Sequence, residues 1–223
     1  FERGYSMPTV SVVKCHDYEL EKVYHAIHKS LSLLNGVDKL VKPGMKVLLK
    51  LNLLSSSQPP ERAVNTHPAV VRALVNIFQK DFGCEVYIGD SSGSVKNAST
   101  FNAFRITRIN EIAEETGAKI VNFDKDEYID VHNKDYEVLD KFRIARTLRT
   151  VDFVVSVPKL KTHGLTQYTG AIKNMLGSIP GNGKKNVHLI APKPTVFAKA
   201  LVDIYHMVPP HLIIMDAIVG MEG

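Results

Sequence analysis

KPGMKVLLKLNLL, Lys42 to Leu54, joins a Pro-Gly turn to an apolar run interrupted only by Lys50 and Asn52. A continuous apolar run bounded by a turn reads as a β-strand buried on both faces, the habit of parallel sheets covered by helices rather than of sheets with one wet face. Helical spacing flanks it on either side. Upstream, Leu20, Val23, Ile27, Leu31 and Leu34 recur along Tyr18 to Leu34 at the interval of an amphipathic helix. Downstream, THPAVVRALVNIFQKDFG puts Thr66 near a cap and Pro68 in the first turn. Val70, Val71, Leu74, Val75 and Phe78 supply its apolar positions, and Gly83 its stop.

The alternation extends in both directions. TVSVVKC, Thr9 to Cys15, is β-branched and predicts a strand before the first helix, and CEVYIGDSSG, Cys84 to Gly93, predicts a strand ending in a small polar loop. A helix near Ile106 to Thr116 and the strand AKIVNF follow. VDFVVSVPKL then predicts another strand, succeeded by a helical stretch near Thr166 to Leu176, a Gly- and Pro-bearing loop, a helix over Thr195 to His206 and the strand HLIIMDAIVG. Alternating β and α units imply an α/β fold, a mostly parallel sheet flanked by helices on both faces. Between residues 124 and 147 the chain turns charged, and YIDVH and FRIAR predict a small accessory hairpin. Residues 1–8 read as a lead-in and residues 9–223 as a single α/β domain. Such a sheet usually continues past a strand like HLIIMDAIVG, so the natural protein is expected to extend beyond Gly223.

Composition narrows the partners. With 44% hydrophobic and 23% charged residues the chain can bury a core. A net charge of +5 suits an anionic partner, yet the basic residues are scattered and there is no Trp, which disfavours nucleic acid. The two cysteines, Cys15 and Cys84, form no C-x-x-C pair and cannot supply four thiolates, so a reduced cytoplasmic protein is the simplest reading. No apolar run reaches the roughly 20 residues that cross a bilayer.

Ligands of open α/β sheets bind beyond the carboxyl ends of the strands. The polar residues there are Lys50 and Asn52; Asp90, Ser91 and Ser92; Lys159, Lys161, Thr162 and His163; and Asp216. A lysine in a buried strand needs an anionic partner, and Lys50 has Asp90 or Asp216 to choose from. The segment PKLKTHGLTQYTGAIKNMLGSIPG, Pro158 to Gly181, is richest, with Lys159, Lys161, Thr162, His163, Lys173 and Asn174 forming a donor set suited to carboxylate or phosphate. A helix starting near Thr166 would add backbone amides to it. Thr66 joins these as a candidate ligand contact, and His163 is the candidate acid or base. GSIPGNGKK, Gly177 to Lys185, fails the P-loop spacing and reads instead as a flexible lid or turn. His67, His163 and His188 have no helical ligand spacing, but they are candidate metal ligands with Asp90 or Asp216 completing a mixed site, His67 with Asp216 foremost.

VKPGMKVLLKLNLLS, NTHPAVVRALV, VYIGDSSG, VPKLKTHGLTQYTGAIKNMLGSIPG and IIMDAIVGMEG together resemble the uncharacterised family called domain of unknown function 362, over nearly the whole chain. The resemblance implies an association with iron–sulfur proteins. Because this chain lacks the cysteines, a 4Fe-4S cluster would lie in a further segment or on a partner. Two readings follow: a redox-associated enzyme domain that binds an anionic small molecule, or a non-catalytic module docking a ferredoxin-like partner. A metal-dependent enzyme is the third.

Overall fold

The computed structural model describes residues 8–34, 36–93 and 100–223; most of the expected lead-in lies outside them. Ten strands occur among the described residues: β1 (Lys46–Lys50), β2 (Glu85–Asp90), β3 (Lys119–Asn122), β4 (Tyr128–His132), β5 (Lys141–Ala145), β6 (Phe153–Ser156), β7 (Lys159–His163), β8 (Gln167–Thr169), β9 (Leu212–Ile213) and β10 (Asp216–Met221). The helices are α1 (Leu20–Leu33), α2 (Val37–Leu40), α3 (Pro68–Asn76), α4 (Thr100–Ile106), α5 (Ile109–Thr116), α6 (Thr147–Thr150), α7 (Ala171–Asn174), α8 (Gly183–Ile190) and α9 (Pro194–Met207).

The main sheet has the order β3-β2-β1-β6-β9, every neighbouring pair parallel. The apolar run around Lys50 supplies its central strand, β1, and side-chain alternation sends its residues into two cores. Val47 and Leu49 join Val86, Ile88 and Val155 beneath α1, α3 and α5. Leu48 and Val154 turn the other way, towards Met175, Phe197, Leu201 and Ile204 of the segment from α7 to α9. Burial on both faces is what the unbroken apolar pattern required.

The accessory hairpin is present as β4 and β5, antiparallel, with Val131, Phe142 and Ile144 inward and Asp130 and Arg143 outward. Three expectations need correction. TVSVVKC forms no strand. Val10 and Val12 are 81% and 90% exposed, Ser11 bonds Ser30 of α1, and no ladder partner stands alongside; β-propensity without a paired edge leaves only extended chain. VDFVVSVPKL and HLIIMDAIVG are each split between two sheets. β6 and β9 belong to the main sheet, while β7 and β10 pair in a second sheet of order β10-β7-β8. Finally, no helix starts near Thr166. β7 folds back on β8 through Lys161↔Thr169, Thr162↔Tyr168 and His163↔Gln167, and α7 begins only at Ala171. Four residues of helix carry too small a dipole to build the amide anion site that a helix from Thr166 would have provided.

Candidate functional site

Strand order reverses between β1 and β6, where the connections leave in opposite directions, and it is at the carboxyl ends of the strands at such a point that open α/β sheets form their ligand-binding crevice. The last residues of these strands, Lys50 and Ser156, are register partners, so the crevice floor is built from them. Lys50 is fully buried. Its amine donates to Asp90 Oδ1 at 2.6 Å and to the Leu51 carbonyl at 2.8 Å, with Asn174 Oδ1 at 3.5 Å. Asn174 in turn donates to Ser156 Oγ at 2.9 Å, and the second oxygen of Asp90 accepts from the Leu53 amide at 2.6 Å. Burial pulls the Lys50 amine down and pushes the Asp90 carboxyl up, each opposed by the other's charge. Asp90, not Asp216, is thus the partner that Lys50 demanded. Gly177 passes so close above this pair that a Cβ there would stand 2.5 Å from both Asp90 Oδ1 and Lys50 Nζ.

Above the floor, β7 alternates Lys159, Lys161 and His163 on one face with Leu160 and Thr162 on the other. Lys159 is consumed structurally. Its amine donates to Asp216 Oδ2 at 2.9 Å and to the Tyr18 hydroxyl at 2.6 Å, wholly buried. Lys161 lies deep as well, donating to the Val64 carbonyl at 2.6 Å, and has no carboxylate in salt-bridge range among the described residues. Burial, then the charge of Lys173, brings its pKa down to about 7. Lys173, half-buried on α7, has neither hydrogen-bond acceptor nor carboxylate among the described residues, and burial followed by Lys50 lowers it to about 8. Thr169 faces the same way as Lys161, being its cross-strand partner, and its buried hydroxyl is unpartnered among the described residues.

His163 closes the cluster. Its Nδ1 accepts from the Leu165 and Thr166 amides, both at 3.2 Å, so the neutral ring carries its proton on Nε2. Burial and then Lys173, His188 and Lys161 hold its pKa at about 4, keeping it neutral at physiological pH. His188, stacked on Phe197, is lowered by burial and by Lys173. Behind the floor, Lys184 donates to Ser91 Oγ and to the Ser91 carbonyl, and Ser91 donates to Asp124. Asp124 also accepts from Thr100 at 2.5 Å and from the Gly181 amide at 2.7 Å. These bonds and the nearby α8 make GSIPGNGKK a docked turn and helix start, the turn rather than the flexible lid of the two expected alternatives. Lys184 is a site residue that the failed P-loop spacing does not point to; a lysine directly after Gly-Asn-Gly is the signal the sequence offers for it.

Of the expected contacts, Lys50, Asp90, Lys161, His163, Lys173 and Asn174 converge. Ser91 backs the floor through Lys184. The rest lie elsewhere. Thr66 is a buried clip, accepting from the Asn52 amide at 2.9 Å and donating to the Val157 carbonyl at 2.7 Å, while Asn52 Oδ1 is buried without a partner among the described residues. Thr162 points away and exchanges hydrogen bonds with Gly223. Asp216 accepts from Tyr18, Lys159 and the His67 amide, and His67 Nδ1 accepts from the Ala69 amide while its ring stacks 3.5 Å from Tyr18. Burial takes His67 down to about 4 and pushes the Tyr18 hydroxyl up. Among the described residues no three His, Cys, Asp or Glu side chains are grouped to hold a metal ion. Nor do the residues fit a four-iron cluster. Cys84 is buried against the Lys42 and Phe82 carbonyls, Cys15 bonds the Asp17 carbonyl, and the sequence has no third cysteine.

A groove of about 760 Å³ lies apart from this cluster, between residues 8–15, α1 and β9. Val12, Ile27, Leu212 and Ile218 make its walls mainly apolar, so it is poorer in chemistry than the lysine cluster.

Comparison with known proteins supports the same frame. The family described as Domain of unknown function (DUF362) matches residues 47–223. A thylakoid-associated protein of Synechocystis sp. is 30% identical over 218 residues, covering 96% of this chain and 64% of the relative. Among solved structures, a protein from Thermotoga maritima is similar at TM-score 0.58 and 15% identity, with 92% of this chain and 52% of that one aligned. The lactate racemase apoprotein from Thermoanaerobacterium thermosaccharolyticum is similar at TM-score 0.59 and 11% identity, with coverage of 95% and 52%. At these identities the structural likeness is one of fold. The chain spans about two thirds of the curated relative and about half of each structure. No helix among the described residues is long and apolar enough to cross a membrane.

Proposed function

Given that the chain belongs to the domain of unknown function 362 family, we propose that it is an anion-binding domain of a metabolic enzyme, taking a small carboxylate or phosphate between Lys161, Lys173, His163 and Thr169. The observation that carries this reading is a pair of lysines, Lys161 buried and Lys173 half-buried, without a carboxylate partner among the described residues. Buried cations are costly unless an opposite charge meets them, and an anionic ligand would meet both. The Nε2 proton of His163 and the unpartnered Thr169 hydroxyl add neutral donors beside them. The likeness to lactate racemase brings small hydroxycarboxylates into the range of ligands to try. Any redox role would come from a cluster-bearing partner or further segment, with this domain contributing the crevice.

Thermal denaturation with phosphate, lactate and pyruvate tests the reading. At an anion concentration 100 times Kd the wild-type chain should gain about 2.7 kcal/mol, and neutral sugars should add nothing. Lys161→Gln and Lys173→Gln should each remove most of the gain. Equal stabilisation of both variants and the wild type would place the site elsewhere.

A further inference from the structure

Among the five lysines around the crevice, four are spoken for. Lys50 and Lys159 meet Asp90 and Asp216, Lys161 donates to the Val64 carbonyl and Lys184 to Ser91. Lys173 meets no acceptor among the described residues, although its backbone is anchored by the neighbouring Asn174, which bridges Lys50 and Ser156. The charge of Lys50 on β1 acts on it, and its own charge is felt by Lys161 and His163 of β7 and by His188 of α8, which places these groups around it. A primary amine that is partly desolvated, beside another lysine's charge and not engaged by a hydrogen bond among the described residues is the arrangement that frees a lysine lone pair for attack on carbonyl carbon.

We propose that Lys173 is a nucleophile that forms an imine with a small carbonyl compound bearing a carboxylate, a 2-oxo acid in its simplest form, while Lys161 holds the carboxylate. This assignment rests on the anion-binding reading above. The amine attacks the carbonyl carbon and the carbonyl π pair moves to oxygen. That oxygen takes up a proton as the nitrogen loses one, giving a carbinolamine. The C–O bond then breaks, the nitrogen lone pair forms the C=N bond, and one molecule of water leaves; nothing is oxidised or reduced. The departing hydroxyl takes up the second proton lost by the nitrogen, relayed through solvent, while His163, whose Nδ1 is held by two amides and whose Nε2 carries its proton, donates a hydrogen bond to that oxygen. With the amine near 8, roughly a tenth of it is free base at pH 7, against less than one part in a thousand for an ordinary lysine. Lys161 sits lower still, but its amine donates to the Val64 carbonyl, whereas Lys173 has no acceptor among the described residues, so Lys173 is the reacting group.

Sodium cyanoborohydride would trap the imine by delivering hydride to its carbon. The intact chain incubated with pyruvate and this reductant should acquire a stable adduct mapped by peptide mass spectrometry to Lys173. Yield should fall about tenfold in Lys161→Gln and under competing phosphate. Lys173→Arg should lose the adduct, its unliganded melting temperature serving as the control for folding. A wild-type chain that is stabilised by phosphate and pyruvate yet unlabelled at Lys173 overturns the imine while leaving anion binding intact. Absence of both stabilisation and label removes both readings. Labelling scattered over exposed lysines, undiminished in Lys173→Arg, also overturns the proposal.

Discussion

At the scale of single residues, the crevice divides its charges into two kinds. Lys50 and Asp90 are fully buried and saturated by one another, by Asn174 and by main-chain groups, so they act as a fixed floor. Removing one partner of such a pair strands the other in a dry interior. Asp90→Ala should therefore cost about 3–5 kcal/mol, and Lys50→Met a similar amount, while the double replacement Lys50→Met/Asp90→Leu should cost less than the sum. Urea denaturation of the three variants measures this; strict additivity would show that the pair is not the unit described. Lys161 and Lys173 are the other kind, charges that the fold leaves open to be neutralised.

At the scale of elements, the segment after β6 does the positioning. Pro158 lies between two sheets, with Val157 donating to the Lys50 carbonyl of the main sheet and Pro158 accepting from Asp216 of the second. This hand-over turns alternate side chains of β7 over the crevice, and the hairpin to β8 brings Thr169 beside Lys161. The turn after α7 then carries Gly177 across the Lys50–Asp90 pair. Because a methyl group at Gly177 would overlap both charged atoms, Gly177→Ala should destabilise the protein by about 1–3 kcal/mol and shift Lys173 and Asn174 with it. Gly164→Ala is the control, since nothing stands within 4 Å of its added Cβ. A Gly177→Ala protein as stable as Gly164→Ala would mean that the pair yields easily.

At the scale of the whole molecule, the open lysines leave a signature in pH dependence. Their native pKa values, about 7 and about 8, lie below the unfolded value of 10.5. Between roughly pH 7 and 10 the unfolded chain therefore binds more protons than the native one, and stability should rise with pH by up to about 1.4 kcal/mol per pH unit for each proton. The penalty is full below pH 7 and relieved above it. Denaturation at pH 6 and pH 9 without anions should show a more stable protein at pH 9, and Lys161→Gln should raise stability at pH 6 and flatten the slope. Saturating phosphate should reverse the trend, because it binds the charged amines. A profile unchanged in Lys161→Gln would mean that this lysine keeps its ordinary pKa.

Most of the order of alternating strands and helices, the double-sided burial of Val47 to Leu51 and the hairpin at 124–147 were readable from apolar periodicity, which is a local property of the chain. So was the richness of Pro158 to Gly181 in Lys, Thr and His. What periodicity cannot contain is pairing. TVSVVKC has the composition of a strand but no edge to join, and Thr166 to Leu176 has helical spacing yet is captured in part by β7 as a strand. Chemistry followed the same division. Residue type marked Lys50, Lys159, Lys161 and Lys173 as equals, and only tertiary structure separated them, because a buried cation's role depends on whether an acid lies within bonding distance. Asp90 and Asp216, distant in sequence, reach Lys50 and Lys159 and leave Lys161 and Lys173 open.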